Sequence, residues 1–102
     1  MDKLGILASL IRSKNAGPFE LTFDIMFDDK DRFQRVRESN ALSRDVIAVL
    51  YQLPPEEVAF FVVPDALAFK ATIPRPRTQG DLLDSDVHGG QQYAPLLDIE
   101  IL

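Results

Sequence analysis

The sequence predicts an α+β fold: a two-layer sandwich with two helices on one face of a mainly antiparallel sheet. Three observations carry this. Residues 20–27 and 66–73 alternate apolar and polar side chains with period two, the mark of half-buried strands. Two short amphipathic stretches lie between those runs, and the chain closes on a further alternation at Leu97, Ile99 and Ile101. Helices that follow one hairpin and precede another commonly share one face of an antiparallel sheet. The 102 residues suit one domain over 1–102, with a single modest core.

Residues 4–12, LGILASLIR, admit two readings. Leu4, Leu7, Ala8 and Ile11 fit a helical stripe, but a short and nearly all-apolar run also fits a buried strand. Asn15-Ala16-Gly17-Pro18 stops either one. In the clear strand at 20–27, Leu21, Phe23, Ile25 and Phe27 alternate with Thr22, Asp24 and Met26. Asp28-Asp29 opens a helix, with carboxylates where the helix dipole favours them. Phe33 and Val36 mark its apolar side to about Ser39. Ser43 is a good N-cap for a second helix, with Asp45 in its first turn and Val46, Val49 and Leu50 as the expected buried stripe. Pro54-Pro55 ends that helix, because proline lacks the amide and restricts its predecessor.

The uncharged run VAFFVV at 58–63 reads as a central strand, broken by Pro64-Asp65. In 66–73, Leu67, Phe69, Ala71 and Ile73 alternate with Ala68, Lys70 and Thr72. Pro74-Arg75-Pro76-Arg77 stops this strand. Residues 78–92 are polar and glycine-bearing and read as a long loop, of a length often tied to function or mobility. Leu97, Ile99 and Ile101 complete a final strand.

Composition excludes several functions. There is no cysteine, which removes disulfides, thiolate metal sites and thiol nucleophiles, and the single histidine, His88, rules out a histidine-rich metal site within one chain. The apolar runs are too short to span a bilayer, and Met1-Asp2-Lys3 lacks the form of a signal peptide. The net charge is −5, and the excess is confined to 81–102, where Asp81, Asp84, Asp86, Asp98 and Glu100 stand without a lysine or arginine. An acidic chain without a basic face is poorly suited to nucleic-acid phosphates. The expectation is a soluble, cytoplasmic protein with neither nucleic acid nor membrane as partner.

Four constellations could carry chemistry. Arg12, Ser13, Lys14, Asn15 and Gly17 read as a tight turn between two apolar elements. Such a turn can direct backbone N–H groups into an anion-binding nest, with Arg12 as a bidentate clamp and Lys14 as a point charge. The plainer reading is a solvated turn with two surface cations. Lys70 and Thr72 share a strand face, with Arg75 at the strand end, either to add charge to the anion site or to protect an edge strand together with the prolines. Asp84, Asp86 and His88 match only the first half of a calcium loop, since the closing glutamate would fall on Pro95. His88 is a candidate acid or base, or simply an exposed loop histidine. Asp24, on the polar side of its strand, pairs with Arg12 or Lys14 if that side faces a cleft or partner; otherwise it is a solvated carboxylate, the plainer reading.

The motifs Arg12–Pro18, Thr72–Pro76 and Asp86–Leu97, in that order, resemble those of a family of short bacterial proteins with a domain of unknown function. More distantly, the chain resembles the C-terminal domain of AtuA-like proteins (acyclic terpene utilisation). Arg12-Ser13 opens the loop that reads R-S-G-D-K-G-N there, Phe60–Leu67 matches a strand, and Asp86 and Gly89 match a late loop. The cation of the first motif is shifted to Lys14, and Gly90 replaces the late-loop lysine.

The resemblance implies a ferredoxin-like sandwich, which favours a strand at 4–12. It also implies a small accessory subunit of a two-component lyase or hydratase, docked on a large AtuA-like subunit. The substrate would be a carboxylate or acyl-CoA compound, no cofactor is expected, and Arg12–Gly17 with Arg75 would hold the anionic group. Fixed cations stabilise developing negative charge without reorganising. The alternative is a non-catalytic homo-oligomeric interaction or metabolite-sensing module. A self-sufficient enzyme is the weakest reading, since only carboxylates, His88 and Lys70 offer acid–base groups.

Overall fold

The computed structural model describes residues 2–16, 19–74 and 94–101. The elements in chain order are β1 (Asp2–Lys3), α1 (Leu4–Leu7), β2 (Leu10–Asn15), β3 (Glu20–Met26), α2 (Lys30–Ser39), α3 (Arg44–Leu50), β4 (Ala59–Val63), β5 (Ala68–Pro74) and β6 (Glu100–Ile101). Short 3₁₀ turns occupy Pro55–Glu57, Pro64–Ala66 and Ala94–Asp98. β2, β3, β5 and β4, in that spatial order, form a four-stranded antiparallel sheet, and β1 pairs with β6 separately.

The alternation of β3 divides the sheet into two faces. Leu21, Phe23 and Ile25 join Phe69, Ala71 and Ile73 of β5 in the core. Phe33 and Val36 of α2 and Ile47 and Ala48 of α3 join the same core. Ring contacts tie the layers together: Phe33 lies 5.0 Å from Phe69, and Phe23 lies 5.0 Å from Tyr51 just beyond α3. The α+β class, the antiparallel sheet and two helices packed on one side of it are thus present. The ferredoxin-like part of the expectation is not demonstrated. That topology places one helix in each of two split units, whereas here α2 and α3 both lie in the connection from β3 to β4.

The helix starts follow the sequence. The Asp29 carboxylate accepts hydrogen bonds from the amides of Asp31 and Arg32, and the Ser43 hydroxyl accepts one from Val46. α2 stops at Asn40, which takes a left-handed φ of 58° that asparagine tolerates.

Five expectations are corrected. The 4–12 stretch is neither one helix nor one strand: a single helical turn at 4–7 precedes a strand that starts at Leu10. The buried stripe of α3 is Ile47 and Ala48, with Val49 and Leu50 facing out, because the helix is only seven residues long and is set by the Tyr51–Phe23 contact at its end. β4 is an edge strand rather than a central one, since it pairs only with β5 among the described residues. β5 is internal rather than an edge, held between β3 and β4, with Pro74 opposite Glu20 at its end. The final strand shrinks to Glu100–Ile101, because Leu97 sits in the preceding 3₁₀ turn. The long loop expected at 78–92 lies outside the described residues.

Candidate functional site

On the second face of the sheet, opposite the helices, the pairing registers place residues in rows. One row is Arg12, Asp24, Lys70 and Phe61, read across β2, β3, β5 and β4. To one side of it stands Lys14, Thr22, Thr72 and Ala59, and to the other Leu10, Met26, Ala68 and Val63. The site is therefore assembled by strand register, and Arg12 and Lys14 project from a strand rather than from the expected turn. Alternation sends Ser13 to the helix-covered face, where it is buried, and puts half-buried Asn15 on that same side. The sequence grouped four neighbours, and the strand separates them into two pairs.

Asp24 is the centre of the arrangement. It is only 6% exposed although its face carries no helix layer, because long neighbouring side chains reach across it. Arg12 Nε donates to Asp24 Oδ2 at 3.1 Å, and Lys70 Nζ stands 3.6 Å from Oδ1. The first is a charge-assisted hydrogen bond; the second is an ion pair too long to be one. Each carboxylate oxygen thus faces its own cation, which offsets the cost of removing the carboxylate from water. The solvated Asp24 of the plainer reading is replaced by a buried, doubly paired one. The Thr22 and Thr72 hydroxyls lie 3.3 Å apart and share one hydrogen bond in the adjoining row.

Beside this cluster is a half-open cavity of about 190 Å³. Arg12, Lys14, Asp24 and Lys70 form its polar wall, and Met26, Val63, Ala66 and Ala68 its apolar one. Three cations against one carboxylate leave the wall net positive, on a chain whose overall charge is −5. Lys14 makes no ion pair among the described residues. The chemistry available is retention of an anion by fixed cations at one end of an amphipathic pocket.

Lys70 and the apolar wall were legible only in part. Sequence alternation gives the face of Lys70, but not that β5 lies directly beside β3. Gly17, Arg75 and His88 lie outside the described residues. No three acidic, histidine or cysteine side chains come together as a metal site among the described residues. No helix there is long and apolar enough to cross a membrane. Burial raises the Tyr51 phenol above its ordinary pKa of 10.0, so it stays protonated at neutral pH.

Comparison with known proteins gives one match. The sequence fits the family described as Domain of unknown function (DUF4387) over residues 4–100. No curated protein and no solved structure matches the chain.

Proposed function

From the premise that the chain belongs to the DUF4387 family, whose pattern spans residues 4–100, we propose that it is the small accessory subunit of a two-component lyase or hydratase. It docks on a large AtuA-like subunit and holds the anionic group of a carboxylate or acyl-CoA substrate. The observation that carries this reading is the cluster of Arg12, Lys14 and Lys70 around buried Asp24, on the sheet face that the helices leave uncovered. Replacing a buried ion pair by apolar side chains is often neutral or stabilising, so stability of the fold alone is a weak reason for the Asp24 cluster. A site that must present cations in fixed positions gains from it, because Asp24 holds Arg12 and Lys70 in place before any ligand arrives.

The uncovered face also ends at β4, whose Phe61 is 54% exposed beside Val62 and Val63. Among the described residues β4 pairs only with β5, so its outer backbone groups and exposed apolar side chains offer a docking edge. That edge is available to the large subunit or to a second copy, so it also favours the homo-oligomeric reading.

Mass in solution separates the two. The chain is measured alone and after co-expression with a large AtuA-like protein from the same genome. A stable hetero-complex is expected, and within it Arg12→Ala is expected to weaken substrate turnover while the complex remains intact. A homo-oligomer that ignores the large protein would overturn the accessory-subunit reading. Unchanged turnover in the variant complex would remove Arg12 from the site.

A further inference from the structure

We infer that the pocket's ligand is a short aliphatic carboxylate, its carboxylate on Arg12, Lys14 and Lys70 and its hydrocarbon on Met26, Val63, Ala66 and Ala68; this rests on the anion-binding reading above. The two ends of the pocket belong to successive rows of one sheet face. Met26 and Ala68 each lie two residues from Asp24 and Lys70 on the same strands, which is about 7 Å along the strand. A ligand that satisfies both ends therefore carries its charge at one end and a short apolar body behind it.

Two features favour a carboxylate over phosphate. Sites for phosphate commonly recruit several free backbone amides at a helix N-terminus or nest. Here the pocket floor is β3 and β5, whose strands are paired on both sides, so their amides are committed to the ladder. The cations are side chains alone, and Asp24 already draws on two of them. Furthermore, an inorganic anion would leave the Met26–Ala68–Val63 row wet. An aliphatic tail covers it and gains the burial.

Size sets the tail. A cavity of roughly 150 Å³ accommodates benzene. The 190 Å³ available here suits an acid of about five carbons. Ala66 closes the apolar end from the Pro64–Ala66 turn, where it is exposed and small. A larger side chain there fills the tail end without entering the core.

The test is a nuclear magnetic resonance titration of the intact chain with sodium acetate, sodium isovalerate and inorganic phosphate, repeated on Ala66→Phe. Isovalerate is expected to bind about tenfold tighter than acetate, from burial of its extra methyl and methylene groups in a half-open site. Ala66→Phe is expected to abolish that gain, so that isovalerate binds the variant no tighter than acetate does. If isovalerate binds no tighter than acetate, if phosphate binds tighter than both, or if the gain survives in Ala66→Phe, this inference is overturned while the anion-binding reading stands. If none of the three binds, both fail, because the cations assigned to the anion, Arg12, Lys14 and Lys70, all belong to this chain.

Discussion

Asp24 decides more than any other residue, because its burial and its partners are unequal. The carboxylate is almost wholly removed from water, whereas the Arg12 and Lys70 side chains are about half exposed. Removing a cation therefore leaves a buried charge poorly compensated, while removing the carboxylate leaves two cations that can turn to solvent. Loss of one partner of a fully buried pair costs about 3–5 kcal/mol. With the second cation still present and the pair partly screened, Arg12→Gln is expected to cost about 1–2 kcal/mol. Asp24→Asn keeps the shape and one oxygen that accepts from Arg12 Nε, while half-exposed Lys70 can turn from the new NH2 group to solvent, and it is expected to cost about 1 kcal/mol. The double variant should cost clearly less than the sum of the two, as residues in one network are coupled. Urea denaturation of the four proteins measures this, and strictly additive losses would mean that Arg12 and Asp24 do not act on each other in solution.

At the scale of elements, α3 shows how a short helix is fixed by its ends. Ser43 caps its start, and Tyr51 at its end packs against Phe23 of β3. The buried phenol gives this contact a pH signature. Its folded-state pKa is raised above 10.0, so the unfolded chain releases that proton first as the solution turns alkaline. Stability is therefore unaffected by Tyr51 below about pH 10 and falls above it. Comparing urea midpoints at pH 8 and 10.5, the intact chain should lose more than Tyr51→Phe does, and equal losses would place the phenol in water. The same helix shows what the sequence could reveal. Ser43 and Pro54-Pro55 mark its ends without reference to the rest of the molecule, as Asp29 marks the start of α2. Its buried side is a tertiary matter, because in seven residues Val46, Val49 and Leu50 make as good a stripe as Ile47 and Ala48. β4 teaches the same lesson. An all-apolar strand buried by two neighbours and one whose edge is uncovered have the same sequence, and only pairing distinguishes them. For the candidate site, alternation put Asp24 and Lys70 on polar strand faces. The 45 residues between them in sequence hid the register that sets them side by side. Arg12 and Lys14 stand out by their charge, but the strong Gly17-Pro18 turn signal assigns them to a turn, and only the pairing with β3 places them in a strand.

Across the whole molecule, the helices and sheet leave one end of the core to be closed by segments far apart in sequence. β1 pairs with β6, so that Asp2 lies opposite Ile101 and Lys3 opposite Glu100. The Leu4 amide donates to the Ile99 carbonyl at 2.7 Å, and Arg35 of α2 reaches both Asp2 Oδ2 and the Ile101 carbonyl. Beneath this clasp Leu4, Leu96 and Ile101 are fully buried in the same core that supports β3. The approach is tight at Gly5, where a Cβ would come within 3.1 Å of Leu97 Cδ2 and 3.3 Å of its carbonyl oxygen. Two strand residues on each side give few ladder bonds, so the clasp depends on its apolar contacts and on Arg35. Ile101→Ala is accordingly expected to cost about 2–4 kcal/mol, as for other buried isoleucines, although the side chain sits in a strand of two residues. The Asp24–Arg12–Lys70 cluster lies on the opposite face of the sheet and shares no partner with the clasp, so the two perturbations should add. If Ile101→Ala proves as mild as a surface substitution, within about 0.5 kcal/mol, the C-terminal segment is not part of the cooperative core. Hydrogen exchange at the Leu4 amide would then be fast while that of β3 stayed slow.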